Sequence, residues 1–349
     1  MPFRFFHSDE NEKERRRLQD LSIEALSRGD ITPDARRRLE AHKNSPFFTT
    51  TMSPAGLLLS KQAGYKVLTQ VMGSSFIYVN REEARRTYGD YTCEVLTLTN
   101  SYEQVRTNAL RRLRKEAALL EADGVVDVRV LVKEKEKEWQ EGLLECTISG
   151  TAIRVPNKPE FKKPEGSVQR LFNKTKSRPI SHPAGGKMQV GADASLDTKA
   201  NAAPFLSNLT GQEFWQLYQA GYWPTTLVSA NCCYFVMADQ QARKAQSGFL
   251  AGQPNQELEC FSKGIYHCRY QVSNKLKRDA KESGGEGIIG VQFDSEIERV
   301  TFDKEPNFAF GINVNMSALG TAVRAVPSGN LPKETGSLMV LNLDRKKEK

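Results

Sequence analysis

Thiol and imidazole side chains are concentrated in the second half of this sequence. The set comprises Cys232, Cys233, Cys260, His267 and Cys268. Cysteine sulfur and histidine nitrogen are ligands that zinc and copper prefer in proteins. Cys260 and His267 are seven positions apart, so they would share one flank of a helix. Adjacent cysteines on a strand point to opposite faces, so only one of that pair could join the site. The spacing therefore indicates a candidate zinc or copper site.

An internal repeat tests this candidate site. Two tripeptides recur along the chain, Ala63-Gly64-Tyr65 as Ala220-Gly221-Tyr222 and Gly150-Thr151-Ala152 as Gly320-Thr321-Ala322. Ser75 and Phe76 occupy the places of Cys232 and Cys233, and the long helix predicted in the first copy contains no histidine. The copies share glycines, strand cores and a helical stripe, but none of the metal ligands. A metal site would be confined to the second copy, and we expect no resident cofactor.

The side-chain combinations of common catalytic sites are missing from both copies. Only one of the four histidines, His267, lies inside a repeat. The sequence has no Gly-x-Ser-x-Gly elbow, no phosphate-binding glycine loop and no His-Glu-x-x-His motif. Ser74 and Ser75 have no paired base in their own copy, and carboxylates at helix-to-strand turns, here Asp123 and Glu286, are typical turn residues. We therefore predict that the protein is not an enzyme and has no catalytic residues.

Composition indicates a soluble globular protein. Hydrophobic residues make up 39% of the chain and charged residues 26%. No apolar run approaches the roughly 20 residues of a membrane-spanning helix, and the sequence becomes charged directly after Phe6 instead of forming a signal peptide. We therefore expect a cytoplasmic protein without a membrane span. Six cysteines without a Cys-x-x-Cys pair predict free thiols and no disulfide framework.

The net charge of +8 is distributed unevenly. Residues 156–203 carry nine Lys or Arg residues against four acids, and they are rich in proline and glycine. This composition predicts a flexible basic linker. Phe161 and Phe172 are too few aromatic residues for a base-stacking platform, and the run Arg111–Lys115 is typical of a solvated helix face. We expect at most weak, salt-sensitive contact with an anionic surface, and nucleic acid is not a favoured partner.

Shifts in composition divide the chain into five parts. These are a charged N-terminal helical arm at 1–45, a first domain at 46–155, the linker at 156–203, a second domain at 204–326 and a C-terminal tail at 327–349. The arm is predicted to contain two short helices around Gly29, and such a hairpin could dock onto a protein partner. In the tail, Leu338–Leu343 predicts an edge strand.

Each domain is predicted to contain a strand, a short helix, a strand, a long helix and two further strands. The long helix follows from an apolar stripe at alternating three- and four-residue spacing: Val95, Leu98, Tyr102, Val105, Ala109, Leu113, Ala117 and Leu120, with Leu258, Phe261, Ile265, Cys268, Val272, Leu276 and Ala280 in the second copy. Phe47–Thr51 is the first strand candidate, and Ser53 and Thr210 are the predicted caps of the short helices. The fold class is therefore α+β, a small mainly antiparallel sheet with one long helix packed on it.

The repeated segments resemble the YbjQ-like family of small bacterial domains. The resemblance rests on the long helix and on Val71–Ser75, Ala122–Val128 and Gly150–Ile153, which are matched in the second copy by 284–291 and 320–323. The tandem form is similar to actinobacterial-type members with two repeats, and the arm resembles helical hairpins that promote oligomerisation. Membership implies a compact unit that assembles into rings, pentameric in single-domain relatives. It also implies a heavy-metal-binding label that rests on structural analogy.

These observations predict a non-enzymatic protein that forms homo-oligomers, a ring-type assembly or scaffold protein. Sheets with so few strands leave open edges, and pairing with other subunits would close them. The alternative is heavy-metal binding or sensing by the thiols of the second copy. The third candidate is weak binding to an anionic surface or to nucleic acid through the basic linker.

Overall fold

The computed structural model describes residues 6–43, 45–80, 92–135, 142–156, 158–159, 161, 203–246, 256–302 and 309–327. The helices are α1 (Phe6–Ser27), α2 (Pro33–Lys43), α3 (Pro54–Gln62), α4 (Leu96–Leu119), α5 (Gly211–Gln219), α6 (Gln240–Gln246) and α7 (Glu259–Glu282). The strands are β1 (Lys66–Tyr78), β2 (Cys93–Glu94), β3 (Gly124–Lys135), β4 (Leu143–Arg154), β5 (Phe205–Leu206), β6 (Tyr222–Met237), β7 (Gly287–Phe302) and β8 (Ala309–Ala325).

Two four-stranded sheets form the framework of the described chain. The first sheet has the order β1-β4-β3-β5 and the second has the order β2-β6-β8-β7. The long strands of both sheets pair antiparallel, and the short pair β3–β5 is parallel. α4 packs on β1 and β4, and α7 packs in the same way on β6 and β8. The predicted α+β class with one long helix on each sheet is confirmed.

The apolar stripe of α4 explains why this segment forms a helix on the sheet. All eight predicted stripe residues, from Val95 to Leu120, are buried. In α7 the stripe is buried from Cys268 to Ala280, whereas Phe261 and Ile265 are only partly covered. Burying a large apolar side chain contributes about 1.5–3 kcal/mol, so each stripe provides much of the energy that holds its helix on the sheet.

The two short helices begin with the predicted capping residues. The Ser53 hydroxyl accepts a hydrogen bond from the Gly56 amide at the start of α3. Thr210 and Glu213 form a complete capping box at the start of α5. Each short helix ends in a glycine with positive φ, Gly64 at 77° and Gly221 at 85°, where a side chain would be strained. Both copies of the repeat therefore begin the short helix with a side-chain cap and follow it with a positive-φ glycine.

One predicted strand is wrong. Phe47–Thr51 is not a strand, although the corresponding segment of the second copy is β5. The segment is instead held through side chains, because the buried Thr151 hydroxyl accepts from the Thr51 amide at 2.9 Å and lies 3.1 Å from the Thr50 hydroxyl. Phe205–Leu206 is a strand because its backbone pairs with the edge of β3, whereas Thr49 of the other segment contacts β1 through its side chain, with its hydroxyl 3.1 Å from the Thr69 hydroxyl.

The N-terminal arm packs against the first unit. Ile31 and Leu39 are buried in the core that contains the α4 stripe. Arg38 pairs with Glu116 of α4 at 2.6 Å, and Lys115 pairs with Asp30 at 3.3 Å. The arm therefore docks on α4 of its own chain, and α1 leaves an apolar side chain, Ile23, exposed.

Some predicted features lie outside the described residues. These are most of the basic linker and the tail strand Leu338–Leu343. α6 was not predicted, because its polar sequence carries no apolar stripe. Among the helices that the structure describes, none is both long enough and apolar enough to cross a bilayer.

Candidate functional site

The contact between the two units is the most extensive candidate site. α4 of the first unit lies between the two sheets, so its second flank meets the second sheet. Leu227, Cys233 and Phe235 of β6 join the same buried cluster as the α4 stripe. Arg114 of α4 crosses to the Thr226 hydroxyl, and burial lowers the pKa of Arg114 to about 10, so the guanidinium keeps its charge at neutral pH. The units therefore share a core.

Each unit also adds a short strand to the sheet of the other. β2, which precedes α4, pairs antiparallel with β6 of the second unit through Cys93–Phe235 and Glu94–Tyr234. β5, which precedes α5, pairs parallel with β3 of the first unit at Gly124 and Val125. Backbone groups of each unit are thus satisfied by the other.

Side chains on α4 complete the β2–β6 junction. The Thr99 hydroxyl accepts from the Cys233 amide at 3.0 Å, and the Asn231 amide group donates to the Thr99 carbonyl at 3.0 Å. Lys275 of α7 pairs with Glu94 at 2.9 Å and donates to the Asn231 carbonyl. These partners fix where β2 enters the second sheet.

An aromatic cluster fills the β3–β5 side of the contact. It contains Tyr65, Phe205, Phe214, Trp215, Tyr218 and Trp223, with ring centroids 5.1 to 6.5 Å apart. The Tyr65 hydroxyl donates to the Gly211 carbonyl at the start of α5. Burial raises the pKa of Tyr65, so this phenol stays protonated and keeps the hydrogen bond at physiological pH.

A small polar cavity of about 20 Å³ lies in the same contact. Its lining includes Tyr102, Glu134, Glu296, Asn313 and Asn315. The Tyr102 hydroxyl donates to Glu134 at 3.0 Å, and the Cys233 thiol donates to Asn315 at 3.3 Å. Burial raises the pKa of the Cys233 thiol, which stays protonated. The cavity has room for about one water molecule, which is too little for an organic substrate.

The surfaces that form this contact have exposed counterparts elsewhere on the chain. When the copies are aligned on their matching strands and caps, Phe205, Trp215 and Phe235 of the second unit correspond to Phe48, Leu58 and Tyr78 of the first. The second-unit side chains are 5%, 5% and 0% exposed, and their counterparts are 40%, 54% and 72% exposed. The first unit therefore presents, uncovered, the surface that the second unit uses to bind it.

The opposite end of the chain shows the reverse pattern. Val128 of β3 is 2% exposed where the second unit covers it, and its counterpart on β7, Val291, is 40% exposed. Arg106 of α4 is buried, whereas the corresponding Arg269 of α7 is exposed. The second unit therefore leaves open the surface with which the first unit receives it.

The predicted metal ligands are distributed over several places. Cys232 and Cys268 face each other between β6 and α7, and both are fully buried. A shared hydrogen bond between the thiols lowers the pKa of Cys232 and raises that of Cys268. These two are the thiols that the structure brings together.

The other three candidates lie apart from this pair. Cys233 points to the opposite face of β6, as expected for adjacent strand residues. The His267 ring packs on Tyr234 with centroids 4.5 Å apart, and Cys260 is partly exposed near the start of α7. All six cysteines are free thiols. In the described part of the chain, no three His, Cys, Asp or Glu side chains are grouped so that they could hold a metal ion. The five-residue metal set stays a prediction.

Sequence reasoning missed that each unit adds a short strand to the sheet of the other. β2 and β5 have two residues each, too short for a hydrophobic pattern. One signal was present in the repeat itself, because Phe48, Leu58 and Tyr78 are apolar at positions where an isolated unit would place them on its surface.

Comparisons with known proteins agree with the repeat unit. Residues 61–156 match the YbjQ-type family that is described as "Putative heavy-metal-binding". The chain is similar to the encapsulin nanocompartment protein Rv1762c of Mycobacterium tuberculosis, with 26% identity over 87% of this chain and 95% of that protein. A crystal structure of a protein of unknown function from the DUF74 family of Pediococcus pentosaceus has 24% identity, covering 32% of this chain and 97% of that one, with a TM-score of 0.22.

Proposed function

We propose that this chain, whose residues 61–156 form a YbjQ-type unit, is a non-enzymatic assembly protein whose copies join head to tail. The observation that carries the proposal is the paired exposure at the two ends. Residues that are buried where the units meet within the chain have apolar, exposed counterparts at the ends of the chain. A second copy of the chain supplies the matching surface for each end.

A contact of this kind is heterologous, because the two surfaces that meet are different. Heterologous contacts repeat until they close into a ring or continue as a filament. We propose a closed ring, the form of assembly that the resemblance of the repeated segments to YbjQ-like domains implies. The name of the mycobacterial relative, an encapsulin nanocompartment protein, supports an assembly role.

A pair of matched substitutions tests this proposal. Valine occupies corresponding positions of β3 and β7, as Val128 and Val291, but only Val128 is covered within the chain. Val128→Asp should destabilise the chain itself, by about 3 kcal/mol or more, because it buries an unpaired charge. Val291→Asp should leave the free energy of unfolding in urea within about 0.5 kcal/mol of the wild-type value, at protein concentrations where both proteins are dissociated.

The Val291→Asp chain should instead lose the higher mass that we expect light scattering to show for the wild type. Val291→Ser controls for the loss of the valine without a charge, and it should weaken the assembly less. A Val291→Asp protein with the wild-type mass would contradict the proposed surface.

A second candidate function is soft-metal binding by the Cys232 and Cys268 thiols. It is favoured by their contact across β6 and α7 and by the description of the matched family. Two thiolates suit a soft ion such as copper(I). Purified protein should then bind one copper(I) per chain, and Cys232→Ser should abolish binding while Cys260→Ser leaves it unchanged. Equal binding by wild type and Cys232→Ser would exclude the site.

A further inference from the structure

The two sheets are each incomplete in a complementary way. The first sheet has a short strand, β5, on its β3 edge, and its other edge is β1. The second sheet has a short strand, β2, on its β6 edge, and its other edge is β7. Each sheet therefore lacks the kind of short strand that the other sheet holds.

Segments that correspond to the short strands are present in the chain. Gln256–Glu257 precedes α7 as Cys93–Glu94 precedes α4. The residue that leads into each helix has nearly the same backbone, with φ −89° and ψ 81° at Val95 and φ −94° and ψ 89° at Leu258. The chain is thus directed into both helices in the same way. Gln256–Glu257 is exposed and lies outside the strands of the described chain.

The leader of the first unit gives a similar correspondence. Phe48–Thr49 precedes α3 as Phe205–Leu206 precedes α5, and the caps Ser53 and Thr210 share an extended backbone, with ψ 160° and 163°. Thr51 and Asn208 are anchored alike, since the amide of each donates to the hydroxyl of a buried threonine, Thr151 or Thr321. Phe48 is therefore presented beside its sheet as Phe205 is, but it is exposed.

Two glycines provide an independent observation. A side chain at Gly124 would collide with the Phe205 ring, whose nearest atom would lie 2.2 Å from the added Cβ. Gly287 is the corresponding residue of β7, and a Cβ there would meet only Val323, at 3.6 Å. Among the described residues of the chain, nothing requires a glycine at 287. An aromatic ring from outside the chain, placed as Phe205 is on Gly124, would require it.

We propose that neighbouring copies of this chain exchange short strands at each head-to-tail junction. Gln256–Glu257 of one copy pairs antiparallel with Ile77–Tyr78 at the β1 edge of the next, in the register of the β2–β6 pair. Phe48–Thr49 of that next copy pairs parallel with Gly287–Ile288 of the first, in the register of the β3–β5 pair. Both sheets then have five strands. This inference rests on the proposed assembly and specifies its contact.

Disulfide trapping in the full-length chain tests the register. Opposed residues of an antiparallel ladder have Cα atoms about 4.5–5.5 Å apart, which is within disulfide range. The Gln256→Cys, Tyr78→Cys variant should give covalent multiples of the chain on a non-reducing gel after mild oxidation. The internal control Glu94→Cys, Tyr234→Cys should close a bond within one chain and give no multiples. Either single variant, Gln256→Cys or Tyr78→Cys, should give none above the wild-type background.

A second variant tests the Phe48 contact without the need for oxidation. Gly287→Val places a side chain where Phe48 would lie, and it should reduce self-association at least tenfold while circular dichroism and urea unfolding of the chain stay as in wild type. Gly124→Val is the matched variant that should destabilise the single chain.

Covalent multiples together with weakened association of Gly287→Val would support the exchange. A wild-type protein that has an oligomeric mass but gives no multiples from the Gln256→Cys, Tyr78→Cys variant would overturn the exchange and leave the proposed assembly standing. A wild-type protein that is monomeric would overturn both.

Discussion

Glu116 is the residue at which α4 and β1 of the first unit meet α2 of the N-terminal arm. Its carboxylate, on α4, accepts from the Met72 amide of β1 at 2.8 Å and pairs with Arg38 of α2 at 2.6 Å. Met72 lies in the β1 edge strand, so the carboxylate occupies part of that edge. The carboxylate is buried, and burial raises its pKa in spite of the two partners. A buried charge is retained here because it satisfies groups on two other elements.

Removing this side chain should loosen the arm and the edge strand together. We expect Glu116→Ala to lower the free energy of unfolding by about 1–3 kcal/mol, since the Met72 amide and Arg38 lose their partner. Glu116→Gln keeps an acceptor for the Met72 amide and should cost less. Urea unfolding of the three proteins measures both differences, and an unchanged Glu116→Ala protein would show that the carboxylate does not join the elements.

Because the pKa of Glu116 is shifted by folding, the stability of the chain should depend on pH. The pKa of Glu116 in the folded chain is raised above its ordinary value of 4.5, so the folded state holds the proton more tightly than the unfolded state does. Its contribution to stability is therefore greatest below about pH 4.5 and falls as the pH rises through the folded-state pKa. Relative to Glu116→Gln, the wild type should lose stability over that range in urea titrations. A wild type that gains stability relative to Glu116→Gln as the pH rises would contradict this prediction.

At the scale of elements, the two long helices differ in how closely they approach their sheets. A Cβ at Gly73 of β1 would lie 2.1 Å from the Ala109 carbonyl oxygen of α4. The corresponding position under α7 is Ala230, which has a side chain. α4 is covered by a sheet on each side, so it has no room to move away from β1. A glycine is needed on the strand below α4 and not on the strand below α7.

A pair of reciprocal substitutions checks this difference. Gly73→Ala should cost about 1–3 kcal/mol of stability, because α4 must shift against packed side chains on both flanks. Ala230→Gly should cost about 0.5–1 kcal/mol, the ordinary effect of a glycine in a strand. Thermal or urea unfolding measures both, and a Gly73→Ala protein as stable as wild type would mean that α4 has free space.

The long elements could be predicted from the sequence because each carries a complete pattern of its own. The α4 stripe is buried at every predicted position, and Thr210 and Glu213 form the predicted capping box. Elements defined by a partner could not be predicted. Phe205–Leu206 is a strand only because β3 lies beside it, and Phe48–Thr49, with the same local signals, is not.

The positions of some predicted metal ligands also followed from local patterns. Periodicity placed Cys268 in the apolar stripe of α7 and put Cys232 and Cys233 on opposite faces of their strand, but it did not say which of the two lies beside Cys268. The contact between the units depends on long-range packing of short segments. Comparing the copies residue by residue reveals it only once burial is known.

At the scale of the whole molecule, the two units share corresponding binding surfaces as well as a fold. The first unit has one surface covered by the second unit and leaves the other exposed, and the second unit shows the opposite arrangement. We propose that a chain built in this way binds its own copies in one direction. In the proposed assembly, the exposed apolar residues at both ends, among them Phe48, Tyr78 and Val291, lie in the interface between copies.

The mass of the wild-type protein in solution tests this account most directly. One chain has a mass of 39.2 kDa. Light scattering on the purified protein at micromolar concentration should give a single species at a whole-number multiple of that mass, and a closed ring should keep the same mass as the concentration is raised. A mass of 39.2 kDa at every concentration would contradict the account.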